Sequence, residues 1–220
     1  MTDPTPPRAG PGNQQPEEGR APLVLVITGP SGVGKGTLIR ALRERLPGLE
    51  LSVSATTRAP RPGEVDDRDY HFLSREEFGR RLEAGDFLEH ATYAGNRYGT
   101  PRSELSRPRP AAPAAGEDEP VGLVLEIELQ GARQVREALP EAEQVFIAPP
   151  SLAALRARLV ARGADSAPVV EERLRAARDE LEARSEFRHV VVNDRLEDAI
   201  EDLAAVVSSI CGTQRRGAPQ

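Results

Sequence analysis

One stretch constrains the fold of this chain more than any other. Leu23 to Ile27 is an unbroken apolar run, Gly29-Pro30-Ser31-Gly32-Val33-Gly34-Lys35-Gly36-Thr37 follows it, and Leu38, Ile39, Leu42 and Leu46 then recur at helical spacing until Pro47 and Gly48. A short apolar run of this kind predicts a strand buried on both faces of a parallel sheet. Glycines between such a strand and a helix let the backbone curl so that successive N–H groups point at one anion. The helix N-terminus adds partial positive charge there. Lys35 is placed to reach the β- and γ-phosphates of a nucleotide, and a nearby hydroxyl can bind Mg²⁺. The usual pattern has Ser or Thr directly after the lysine. Here Gly36 intervenes, which makes Thr37 the candidate Mg²⁺ ligand. The loop predicts a nucleotide phosphate site and no particular reaction, because ATPases, GTPases and kinases share it.

Composition adds weight to Lys35. Of 29 basic residues it is the one lysine; all the others are arginine. Guanidinium and ammonium groups differ in tight sites, and a lone lysine placed at random would fall at this position about once in thirty. Net charge is −6, which argues against nucleic acid as a partner. Small anions remain suitable, because a local arginine cluster can bind phosphate inside an acidic protein. No apolar run approaches the ~18 residues of a membrane span. Residues 1–21 lack the apolar middle of a secretory signal. Cys211 is the single cysteine, which rules out an internal disulfide and suits a reducing cytoplasm.

Apolar runs at 122–127, 144–147 and 190–192 predict further buried strands, and helical patterns at about 132–138, 151–161, 168–186 and 195–210 surround them. This alternation predicts an α/β domain, a P-loop NTPase-type parallel sheet flanked by helices. Residues 51–102 break the rhythm with short alternating segments and turn residues, which predicts a small inserted mixed β subdomain. The core is then 22–50 and 121–210. Residues 1–21 read as a disordered tail, 103–120 as a flexible proline-rich loop, and 211–220 as a C-terminal tail.

Ser52-Val53-Ser54-Ala55-Thr56-Thr57-Arg58-Ala59-Pro60-Arg61-Pro62-Gly63-Glu64, followed by Asp69-Tyr70-His71-Phe72, closely resembles the GMP-binding segment of guanylate kinases. The resemblance continues, in family order, through Phe87-Leu88-Glu89-His90-Ala91, Gly95-Asn96-Arg97-Tyr98-Gly99-Thr100, Glu126-Ile127-Glu128-Leu129-Gln130-Gly131, Ala148-Pro149-Pro150-Ser151 and Val192-Asn193-Asp194. It covers about residues 22–210. It implies ATP-dependent phosphorylation of GMP to GDP by direct in-line transfer, with ATP and GMP as substrates and Mg²⁺ arriving with ATP. Monomer and homo-oligomer stay equally open.

The resemblance also assigns roles. Gly29 to Thr37 hold the ATP phosphates and Asn193 lies near adenine. Arg58, Arg61, Tyr70 and Tyr98 match the residues that hold the GMP phosphate, a dianion suited to guanidinium forks and hydroxyls. Glu89 matches the carboxylate that accepts from guanine N1–H and its N2 amino group, an arrangement adenine does not offer. Ser54 and Thr100 match hydroxyls beside the base, and Glu64 a supporting acid. Arg158, Arg162 and Arg173 match catalytic arginines on a helical lid of about 155–185. Phosphoryl transfer concentrates negative charge, so such arginines act electrostatically, and a lid that closes over both substrates excludes water. Arg156 and Arg175 suit a charged helix face paired with Glu171, Glu172 or Glu180.

Two features depart from the family pattern. Glu128 matches a position near GMP and Mg²⁺, and so counts among the GMP-binding residues the resemblance implies, but aspartate is usual there; and Pro108, Pro110, Pro113 and Pro120 occupy a segment that is usually an amphipathic helix, which prolines break. Two rival readings follow from the same residues. One is a guanylate-kinase-like binding module without catalysis. The other is a kinase for a different small phosphate, such as a ribose bisphosphate, which shares the loop but needs no carboxylate to read guanine.

Overall fold

The computed structural model describes residues 23–93, 95–107, 121–163 and 166–216. The tail expected at 1–21, the last four residues and most of the proline-rich loop lie outside them. In chain order the elements are β1 (Leu23–Thr28), α1 (Lys35–Arg45), β2 (Leu49–Leu51), β3 (Ala55–Thr56), β4 (His71–Phe72), α2 (Arg75–Glu83), β5 (Phe87–Tyr93), β6 (Asn96–Pro101) and α3 (Ser103–Ser106). There follow β7 (Gly122–Glu126), α4 (Leu129–Ala138), β8 (Glu143–Ala148), α5 (Leu152–Ala161), α6 (Ala167–Glu182), β9 (His189–Val192) and α7 (Leu196–Arg216), with a 3₁₀ turn at Ala183–Glu186 after α6.

The apolar runs form one parallel sheet in the order β2-β7-β1-β8-β9. Because successive strand residues face opposite ways, β1 serves two cores. Leu23, Leu25 and Ile27 pack with Leu38, Ile39 and Leu42 of α1, Leu155 of α5, Leu174 of α6 and Leu203 of α7. Val26 packs on the other face with Leu123, Leu125, Phe146 and the α4 residues Ala132 and Val135. Each such buried aliphatic side chain contributes about 1.5–3 kcal/mol. Glu126 ends β7 on the same side as Val124, facing α1, while Leu125 and Ile127 face α4.

The inserted segment forms a second, mixed sheet in the order β4-β3-β6-β5. Its small core is Ala55, Phe78 and Phe87, with the two phenyl rings stacked 4.5 Å apart. It also contains α2, which short-range alternation did not predict; Ser74 caps it by accepting from Glu77 N.

Three expectations need correction. β2 belongs to the core sheet, so the insertion starts after Leu51. β9 was expected to be buried, yet Val190 is 42% and Val192 47% exposed. It is the edge strand of the sheet, and only its Val191 side is covered. Finally, a helical turn, α3, survives before the prolines, and Glu104 within it is 3% exposed.

Candidate active site

The glycine loop joins β1 to α1 with a backbone that only glycine adopts easily. Gly29, Gly32 and Gly34 have φ of 139°, 86° and 103°. The loop is also clamped from three sides. A side chain at Gly29 would overlap Ile147 O, one at Gly32 would stand 2.6 Å from Leu159 Cδ2, and one at Gly34 would stand 2.7 Å from Asn193 Nδ2. Asn193 donates to Val33 O at 2.8 Å, and Arg158 reaches the same oxygen at 3.3 Å. Arg158 also donates to Asn193 O at 2.8 Å and to Asp194 O at 3.1 Å. It therefore fastens α5 to the loop and to the residues that follow β9.

Lys35 turns back on its own loop, donating to Gly29 O at 2.5 Å and to Pro30 O at 3.5 Å. Loss of water pulls its ammonium below the usual lysine range, and Glu126, Glu180 and Glu128 act against that shift. Burial in turn raises the Glu126 carboxyl, opposed by Lys35. Glu180, on α6, has an enclosed Oε2 with no hydrogen-bond partner. A side chain at Gly36 would stand 3.6 Å from Glu126 Oε2, and Thr37 is exposed one residue further on.

The second sheet carries the other predicted residues. Arg58 donates to both oxygens of Glu64, at 3.0 and 2.9 Å, and lies 5.3 Å from the Tyr70 ring centre and 5.9 Å from that of Phe72. Glu64 also accepts from Arg61 N at 2.6 Å. Its carboxyl is held below the usual range, first by Arg58 and then by that N–H. Tyr98 lies against Arg58, and its ring centre is 6.3 Å from that of Tyr70. Burial pushes the Tyr70 hydroxyl up. These side chains form one cradle of a guanidinium and two phenols.

Glu89 on β5 and Thr100 on β6 are register partners, and the Thr100 hydroxyl donates to Glu89 Oε1 at 2.7 Å. Glu89 is 4% exposed. Burial raises its carboxyl to about 7; the Thr100 hydroxyl lowers it and Glu128 raises it further. Ser54, half-buried, precedes β3, and its carbonyl accepts from His71 N at 2.9 Å. Glu128 is the N-cap of α4, accepting from Gly131 N at 3.2 Å. The longer side chain at this position thus has a structural task. Its carboxyl is raised by burial and lowered by those amides.

The three arginines expected on a lid differ in their surroundings. Arg158 is engaged as described, Arg162 is exposed at the end of α5, and Arg173 is half-buried on α6. Arg156 pairs with Glu171 across the two helices, the surface role its position suggested. Sequence reasoning gave no role to Glu126, and to Glu180 only that of a surface partner for Arg156 or Arg175. The signal for Glu126 was present, a carboxylate closing an apolar strand at the carboxyl end of a parallel sheet, where such folds bind ligands. Glu180 lay within an ordinary charged helix pattern.

Comparisons with known proteins point to one family. Residues 21–210 match the family model described as guanylate kinase. The chain is 48% identical over 211 residues to a guanylate kinase of Synechococcus sp. (strain JA-3-3Ab), covering 94% of this chain and 92% of that protein. It is 52% identical over 184 residues to a guanylate kinase of Frankia casuarinae, covering 84% and 96%. Among solved structures, guanylate kinase from Anaplasma phagocytophilum superposes with a TM-score of 0.65 at 31% identity, covering 86% of each chain.

Proposed function

The chain belongs to the guanylate kinase family, and from that membership we propose how its own residues carry the reaction of that family, transfer of the terminal phosphoryl group of ATP to GMP. It is an enzyme, a nucleoside monophosphate kinase. The glycine loop and Lys35 hold the β- and γ-phosphates, with Asn193 and Arg158 fixing the loop from behind. Arg58, Arg61, Tyr70 and Tyr98 hold the GMP phosphate, and Glu64 pre-orients Arg58. Glu89 reads guanine, with Thr100 and Ser54 beside it. Residues 51–102 act as the GMP subdomain and about 155–185 as the lid that brings Arg162 and Arg173 to the transferred group. No covalent intermediate is needed, because a GMP phosphate oxygen attacks directly.

A magnesium ion fits the donor set, which is all hard oxygen. Among the described residues no group of three acidic, histidine or cysteine side chains could hold a metal. That suits Mg²⁺, which keeps its waters and rests on substrate phosphates. Thr37 would supply its hydroxyl to an ion whose chemistry is to neutralise phosphate charge. No helix among the described residues is long and apolar enough to cross a membrane.

The observation that supports this reading most is a buried carboxylate, held on one oxygen by the Thr100 hydroxyl, on the same sheet as an arginine–tyrosine cradle. A site built to pair both guanine donors rejects a base that leaves a buried carboxylate unpaired, by a factor of about 10⁴–10⁵ in favourable cases. An ADP-release assay with GMP, AMP, CMP and UMP tests it. GMP is expected to be preferred by a factor of at least about 10³. No ADP with any acceptor would support a binding module, and equal rates would remove Glu89 from its role.

A further inference from the structure

The position of the Glu89 carboxylate is limited by a residue with no side chain. Gly131 lies in the first turn of α4, buried against β5. A methyl group there would overlap Glu89 Oε2, the oxygen not bound by the Thr100 hydroxyl, and would stand 3.0 Å from Glu89 Cδ and 3.4 Å from Cγ. The helix cannot back away to make room. One turn later, Gln134 accepts from His90 N at 3.1 Å and donates to His90 O at 2.8 Å, so α4 is fastened to the main chain of the residue next to Glu89. Ala132 and Val135 are held in the same apolar cluster as Leu88. With both backbones fixed, the part free to move is the end of the Glu89 side chain. An ordinary contact distance would require the carboxylate to retreat by roughly 1 Å.

We propose that Gly131 is a specificity-determining position: its missing side chain leaves the space in which Glu89 presents its carboxylate to guanine. This rests on Glu89 reading the base. The physical consequence is a separation of effects. Moving the far end of a flexible side chain costs the fold little, and alanine is a better helix residue than glycine. The same movement displaces the one group whose placement decides acceptor choice, and a shift of this size can cost recognition about 10²-fold.

The test compares Gly131→Ala, Glu89→Asp, Glu89→Gln and Gly131→Ala/Glu89→Asp in the full chain by steady-state kinetics with GMP and AMP, calorimetry with GMP, and thermal melting. Gly131→Ala is expected to raise KM for GMP about 10- to 100-fold and to lower the GMP-over-AMP preference by the same factor. KM for ATP should be unchanged and Tm equal or higher. Shortening residue 89 returns room, so the double variant should lose less than the product of the two single losses. A wild-type KM for GMP in Gly131→Ala, with Glu89→Gln impaired, overturns the inference alone. Unchanged selectivity in Glu89→Gln overturns the reading beneath it. A fall in Tm with equal losses toward ATP and GMP, or failure of Gly131→Ala to fold, also overturns it, because the proposal requires a change that is cheap for the fold.

Discussion

Acidity should control guanine recognition through Glu89. Its carboxyl is raised from 4.5 to about 7, chiefly because β5, β6 and α4 strip it of water. Guanine N1–H and its amino group need the ionised form as acceptor. In the free protein about one tenth of Glu89 is ionised at pH 6 and about nine tenths at pH 8. The dissociation constant for the base should therefore be about tenfold larger at pH 6 than on the alkaline plateau, or ~1.4 kcal/mol. Guanosine is the better ligand, because a phosphate ester titrates near pH 6 itself. Calorimetry in two buffers of different ionisation enthalpy should show nearly one proton released per guanosine at pH 6 and almost none at pH 8.5. The sign for folding runs the other way. The folded protein holds this proton more tightly than the unfolded chain, so the group's contribution is fully present below 4.5 and lost as pH rises through about 7, a span of about 3 kcal/mol. Glu89→Gln cannot ionise, and should melt several degrees above wild type at pH 8 (about 2–4 °C per kcal/mol) and with it at pH 5. A guanosine affinity that is flat from pH 6 to 8, or a Glu89→Gln variant with the same slope as wild type, would refute the reasoning.

Two further predictions follow from the same contacts. Lys35→Ala should cut turnover by at least about 10²-fold with little change in Tm, because the ammonium is partly desolvated and bonded only to its own loop; near-normal ADP release would remove it from the phosphate site. Glu104→Ala should cost about 1–3 kcal/mol in chemical denaturation. Glu104 accepts from the buried Val53 N at 2.8 Å and pairs with Arg107, which also reaches Glu50. Glu104→Gln, which keeps an acceptor for Val53, should lose less.

The sequence made the core legible because each strand there is apolar on both faces and each helix has a stripe: Leu25 and Ile27 against Leu38 and Leu42 needed no partner from far along the chain to be recognised. The loop glycines, Lys35 and Thr37 were legible for the same reason, since a strand–turn–helix is local, whereas Asn193 was reached by resemblance. β2 and β9 were harder. Leu49 to Leu51 is too short to show a period, and nothing in Val190 to Val192 says that no element covers one side of it. Contacts across long separations were invisible. Glu104 meets Val53 across 51 positions and Arg158 meets Val33 across 125, and neither spacing carries a periodic signal. Glu89 was found by resemblance; its burial and the gap at Gly131 required the second sheet to be folded against α4.

The free protein keeps its important cations occupied. Lys35 donates to Gly29 O and Pro30 O, Arg58 to Glu64, and Arg158 to the carbonyls of Val33, Asn193 and Asp194. An unpartnered charge beside low-dielectric walls would be costly, so each has an internal acceptor that holds it near its working place. Phosphates bound as proposed would take over from acceptors already present, and the net gain on binding would be smaller than a count of new contacts suggests. The gain in geometry is larger. Glu64 holds the Arg58 fork flat through two bonds of 3.0 and 2.9 Å, so that little side-chain freedom is left to lose when GMP arrives. Arg158 does the same for the loop, because it ties α5 to the main chain that receives ATP. Movement of α5 away from its place would therefore loosen Val33 O and the loop together. On this arrangement α5, the glycine loop and the segment after β9 are held as one unit through Arg158.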